Sequence, residues 1–180
     1  MRDTSLSATP FDLPGVLLIT PERFDDERGY FIETFNPDFF GKIGVSDTFV
    51  QDAVSRSKRG VIRGLHFQRP PHAQAKLVRC GAGEIFDVVA DVDPASPTYG
   101  THVSVTLSGD TQAMLYVPGR YAHGFSVMSE VALVEYKLEP VWPESAAGAR
   151  YDDPVLAIPW PIERPILSAK DLSWVPLPVR

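Results

Sequence analysis

Glu84-Ile85-Phe86-Asp87-Val88-Val89-Ala90-Asp91 is the stretch on which the fold turns. A short run rich in β-branched and aromatic residues, closed by Asp93-Pro94-Ala95-Ser96-Pro97, reads as a strand ending in a turn. Alternation sets Phe86, Val88 and Ala90 on one face, and Ile85, Asp87, Val89 and Asp91 on the other. Asp87 therefore sits mid-strand among apolar neighbours. An unpartnered carboxylate is costly there, so a cationic or hydrogen-bonding partner is expected; a partly exposed strand face is the alternative.

Working outward, similar segments recur on both sides. Strands are expected at 16–19, 31–35, 61–67, 75–79, 84–91, 101–107, 113–117, 124–127 and 131–138, separated by turn signals such as Ser108-Gly109-Asp110 and Pro118-Gly119. The 17 prolines are spread throughout and disfavour long helices, although 37–43 is compatible with a helical turn or two. Many short strands at near-regular spacing point to an all-β sandwich or barrel of the jelly-roll kind with short peripheral helices. No repeat or linker divides the 180 residues, which read as a single domain over 1–180. The Pro-rich tail from Pro154 reads as an ordered wrap, because Ile158, Trp160, Ile166, Leu172 and Trp174 require burial.

Composition narrows the function classes. The net charge of -6 argues against a nucleic-acid surface, which is normally basic. One cysteine, Cys80, excludes an internal disulfide and a cysteine-based zinc site. The four histidines (66, 72, 102 and 123) never fall at ligand spacing, and Gln68 stands where a second metal ligand would be needed, so no metal site is expected. The polar start, Met1 to Pro10, has no apolar signal region, and no stretch reaches the length of a membrane span. A cytoplasmic protein is expected.

Five titratable residues lie in apolar surroundings: His66, Lys76, His123 and Tyr136 on strand-like runs, and Asp171 in Ser168-Ala169-Lys170-Asp171. Spacing alone leaves each of them open to a structural reading. A strand histidine can be a satisfied core residue, a strand tyrosine can reach a surface partner, a lysine can snorkel, and a tail aspartate can cap a turn.

The ordered set of motifs is more specific. Asp26-Glu27-Arg28-Gly29-Tyr30-Phe31-Ile32-Glu33, Gly60-Val61-Ile62-Arg63-Gly64-Leu65-His66-Phe67-Gln68 and Gln74-Ala75-Lys76-Leu77-Val78 are followed by Ser96-Pro97-Thr98-Tyr99-Gly100 and Ala122-His123-Gly124-Phe125. Tyr136-Lys137 and Leu167-Ser168-Ala169-Lys170-Asp171 complete the series. Together they resemble the dTDP-4-dehydrorhamnose 3,5-epimerase family over roughly residues 14 to 177.

The resemblance implies a cupin-like homodimer that uses neither metal nor cofactor. Its substrate would be a nucleotide-diphosphate sugar, dTDP-4-dehydro-6-deoxy-D-glucose, epimerised at C3 and C5 to dTDP-4-dehydro-L-rhamnose. Both carbons flank the C4 ketone, so a base on one face can remove a proton and an acid on the other can return one. By motif position His66 resembles the base, Asp171 the carboxylate that orients it, Tyr136 the opposing acid, and Lys76 the cation meeting the C4 oxygen. Arg63, His123 and Lys170 match substrate-contacting positions. Arg28, Glu33 and Gln51 match nucleotide and diphosphate contacts, some of them supplied by the partner subunit.

Two departures stand out. Ala53 occupies a position where the family carries Asn, and Ala146 replaces a Glu. The segment Pro140-Val141-Trp142-Pro143 is one residue short, which makes Trp142 the aromatic expected to stack on the base, although strict alignment would place Val141 there. The alternative function is a mono-epimerase acting on another 4-keto sugar nucleotide. One geometric requirement also follows. Regular alternation puts Arg63 and His66 on opposite faces, so both serve one pocket only if their strand is irregular at Gly64.

Overall fold

The computed structural model describes residues 6–179. Its strands are β1 (Leu6–Pro10), β2 (Leu17–Pro21), β3 (Arg23–Asp26), β4 (Gly29–Ile32), β5 (Gln51–Lys58), β6 (Ile62–Gln68), β7 (Lys76–Ala82), β8 (Glu84–Ala90), β9 (His102–Ser108), β10 (Met114–Val117), β11 (Ala122–Val127), β12 (Val131–Leu138) and β13 (Ala146–Gly148). Two short helices, α1 (Pro37–Lys42) and α2 (Ala169–Leu172), lie outside them. A six-stranded antiparallel sheet in the order β1-β2-β10-β7-β12-β5 packs on a five-stranded one, β13-β6-β11-β8-β9, while β3 and β4 pair only with each other. This is the expected all-β, cupin-like sandwich.

The β8 alternation explains how the layers form. Ile85 and Val89 join the core between the sheets with Val78, Cys80, Leu115, Val134, Phe125 and Val127. Val88 and Ala90 face the other way, beneath the tail residues Leu156, Ile158 and Trp160. Apolar side chains on both faces thus bury one strand under two layers, and Asp87 is carried inward with Ile85 and Val89.

The strand segments hold with shifted ends, and the differences have causes. The expected strand 31–35 ends at Ile32, because Phe35 turns away to pack against Phe40 and Phe49 beside α1. β5 is missing from the expectation because it is an edge strand whose inward positions are Ala53, Ser55 and Ser57 while Val54 faces out, which removes the apolar alternation. In the tail, Ile158 and Trp160 are packed as expected, but Ile166 and Leu172 remain exposed. Ile166 is fixed through its backbone instead, bonding to Gly60 and Ile62.

Candidate active site

Four strands from both sheets deliver the candidate residues to one place. Arg63 and His66 come from β6, Lys76 from β7, His123 from β11 and Tyr136 from β12, and all five line a cavity of about 350 Å3. An adjoining hollow of about 450 Å3 around Thr34, Arg79 and Lys137 shares Ala53, Val54 and Tyr136 with it.

The irregularity expected in β6 is present. His123 pairs with His66, but the next pair is Phe125 with Arg63, so β6 carries one extra residue against β11. Gly64 stands at the shift with φ 134, and a Cβ there would come within 2.6 Å of the Gly124 Cα. A side chain at this point is excluded by sterics and by backbone conformation alike. The extra residue turns Arg63 and His66 toward the same cavity.

His66 is bound through Nε2 to Asp171 Oδ1 at 2.5 Å. With the Nε2 proton donated to the carboxylate, Nδ1 carries the lone pair, which defines the nitrogen able to accept a proton. Asp171 is buried in α2, where Ser168 caps the helix by accepting from the Asp171 backbone N–H. Burial pushes the Asp171 carboxyl upward, but the hydrogen bond and charge of His66, with donors from Ser168 and Trp174, outweigh it and hold the group below its ordinary value.

Lys76 is buried, and its ammonium donates to the His66 carbonyl at 2.8 Å. Burial lowers its pKa to about 8, partly opposed by the charge of Asp87. Tyr136 moves the other way. Burial pushes its phenol up to about 12 despite the Ser55 hydrogen bond and the nearby Arg63, so it remains protonated at neutral pH. A retained proton is what an acid requires.

Asp87 finds its expected partner in His123, whose Nε2 lies 2.7 Å from Oδ1 with both groups buried. The alternative of a partly exposed strand face is excluded. Asp87 was legible as a residue in need of a partner, although its position beside the site was not. Ser55, and Ser57 accepting from Arg63 Nε at 2.9 Å, gave no signal because they sit on the polar edge strand β5.

The remaining sequence candidates are not among the residues lining this cavity. Arg28 is on the β3–β4 hairpin, 82% exposed and paired with Asp26; Glu33 follows that hairpin. Gln51 begins β5 in an exposed position. Lys170 extends over the Trp174 ring at 5.7 Å. Trp142 is stacked on His72, with ring centroids 4.4 Å apart and planes 15° from parallel, yet stays 44% exposed. Its backbone N–H donates to Gln68, which fixes the loop.

Comparison with known proteins agrees with this geometry. The family model described as dTDP-4-dehydrorhamnose 3,5-epimerase matches residues 10–178. The dTDP-4-dehydrorhamnose 3,5-epimerase of Salmonella typhimurium is 46% identical over 164 residues, covering 89% of this chain and 90% of the relative. Among solved structures, the epimerase from Legionella pneumophila in complex with dTDP-4-keto-L-rhamnose superposes with TM-score 0.90 at 41% identity, covering 94% and 92% of the two chains. The Bacillus anthracis enzyme with TDP and PPi bound reaches TM-score 0.93 at 39% identity, covering 96% and 100%. With the match extending across both sheets and the tail, the chain belongs to the dTDP-4-dehydrorhamnose 3,5-epimerase family.

Proposed function

We propose that this protein epimerises dTDP-4-dehydro-6-deoxy-D-glucose at C3 and C5 to dTDP-4-dehydro-L-rhamnose, with His66 as base and Tyr136 as acid. The observation carrying this reading is that an imidazole held by Asp171, a phenol that keeps its proton and a buried ammonium all line one cavity. Nδ1 of His66 takes the proton beside the ketone, and the electron pair moves onto the C4 oxygen. Lys76 offsets the charge growing there in a site of low dielectric. Tyr136 returns a proton to the opposite face, which inverts the carbon. Repetition at the second carbon completes the conversion, leaving the enzyme with the protons it started with once solvent has exchanged them.

We assign Arg63, His123 and Lys170 to the sugar and diphosphate, and Trp142 to the nucleobase, whose flat face suits the exposed side of that indole. The hairpin bearing Arg28, with Glu33 behind it, pairs only with itself and presents Phe31 to solvent. A homodimer in which each hairpin reaches the other subunit's cavity, together with Gln51 at the β5 edge, accounts for that exposure. Residues 1–180 are taken as one epimerase domain working in the cytoplasm; no helix among the described residues is long and apolar enough to cross a membrane.

Proton NMR of the reaction in deuterium oxide tests the reading. Deuterium entering at both C3 and C5, with loss of both signals in His66→Asn, is the expected result. Entry at one carbon only would establish a mono-epimerase, and undiminished exchange in His66→Asn would remove the base assignment.

A further inference from the structure

The residues that hold Asp171 in place extend one step beyond the helix that carries it. Trp174 lies three positions after Asp171, and its indole is seated on Gly148, where a Cβ would come within 2.3 Å of the ring. Gly148 in turn is the β13 residue paired directly with His66 on β6. The indole therefore joins the tail to the backbone partner of the histidine. Only glycine leaves space for this wedge.

Two further contacts give the indole a polar role. Its Nε1 is fully buried yet has no close hydrogen-bond partner among the described residues, which is costly for an N–H unless an acceptor is within electrostatic reach. Asp171 is such an acceptor, and the Trp174 N–H is among the donors that help keep its carboxyl ionised. The ring face meanwhile receives the Lys170 ammonium at 5.7 Å.

We propose that Trp174 is a positioning residue of the proton-transfer centre: its ring wedges the tail against Gly148, and its N–H serves as a further donor that orients Asp171 behind His66. The proposal rests on the reading of His66 as base. An indole donor draws charge from the carboxylate, so Asp171 stabilises the His66 imidazolium less than it otherwise would. Removing that donor raises the affinity of His66 for its proton.

The test separates the two parts of the side chain. Trp174→Phe keeps a ring on Gly148 and under Lys170 but deletes the N–H. The expected result is a kcat lowered by about three- to tenfold, within reach of a single hydrogen bond, with KM within about twofold. The acid limb of the kcat/KM profile should also move to higher pH. Trp174→Leu removes the ring as well and should add a rise in KM through the loosened Lys170. Wild-type kcat and an unshifted acid limb in Trp174→Phe would overturn the proposal. A spectrum of enzyme labelled with 15N at its indoles adds a readout that needs no catalysis. The indole signal absent from Trp174→Phe should shift in Asp171→Asn, and its constancy would also overturn the proposal. Failure of the base reading looks different, since deuterium exchange would then persist in His66→Asn.

Discussion

Two histidine–aspartate pairs sit on neighbouring strands, and His66 and His123 are direct cross-strand partners. In the first, His66 is 42% exposed and its carboxylate comes from a short helix in the tail. In the second, His123 is 5% exposed, on the strand β11 that is buried throughout, and Asp87 is fully buried on β8. Both histidines line the cavity, but one pair is open to solvent and the other is almost wholly buried. An open imidazole can trade protons with a substrate. A sealed one cannot do so readily, and its aspartate acts on other groups through charge, most clearly by supporting the ammonium of Lys76 against burial. Solvent access and anchoring divide the labour between them.

The comparison can be broken most severely at its open member. His66→Asn should lower deuterium exchange at C3 and C5 by roughly 10²–10⁴-fold, while His123→Asn retains measurable exchange; equal losses would erase the distinction. The sealed pair should matter more for folding. Asp87→Ala leaves a buried donor unsatisfied and should cost about 2–4 kcal/mol in urea unfolding, more than Asp171→Ala, whose histidine can turn to water. Tyr136→Phe should cut inversion by about tenfold or more while exchange at the base persists, as followed by NMR of product and recovered substrate. Trp142→Ala lies outside both pairs and should raise KM by about tenfold, the effect of roughly 1–3 kcal/mol of base stacking, with kcat and both pH limbs unmoved.

The finest distinction is a pH effect. Lys76 must be cationic to meet the C4 oxygen, and its pKa is lowered to about 8, so activity should decline as pH rises through that value. Asp87 raises the Lys76 pKa, so Asp87→Asn should move the decline to lower pH. A basic limb that stays in place in that variant would show that the sealed pair does not act on the lysine.

Periodicity made much of this architecture readable. The inward turn of Asp87 followed from strand alternation, and the conflict between Arg63 and His66 pointed to Gly64, where the register does shift. The polar strand β5 could not be read, because edge positions escape the selection for apolar alternation that marks a buried strand. Trp174 reads from the sequence as a residue needing burial, but its seat on Gly148 does not follow from it, because the two lie 26 positions apart. His66, Lys76 and Tyr136, which the motifs bring forward, line one cavity, while Arg28 stands on a separate hairpin and is not among its lining residues.

The crossing of Gly64 and Gly124 sets a boundary on how this enzyme can diverge. A methyl group on Gly64 meets the Gly124 Cα at 2.6 Å, and one on Gly124 meets the Arg63 carbonyl at 2.8 Å. In each case the obstacle is main chain, which no compensating change of a neighbouring side chain can remove. The stretch that aims Arg63 and His66 is therefore closed to gradual sequence drift. Slack lies instead at Ala53 on the cavity wall, so on the proposed reading the proton chemistry is inherited intact while its clientele changes.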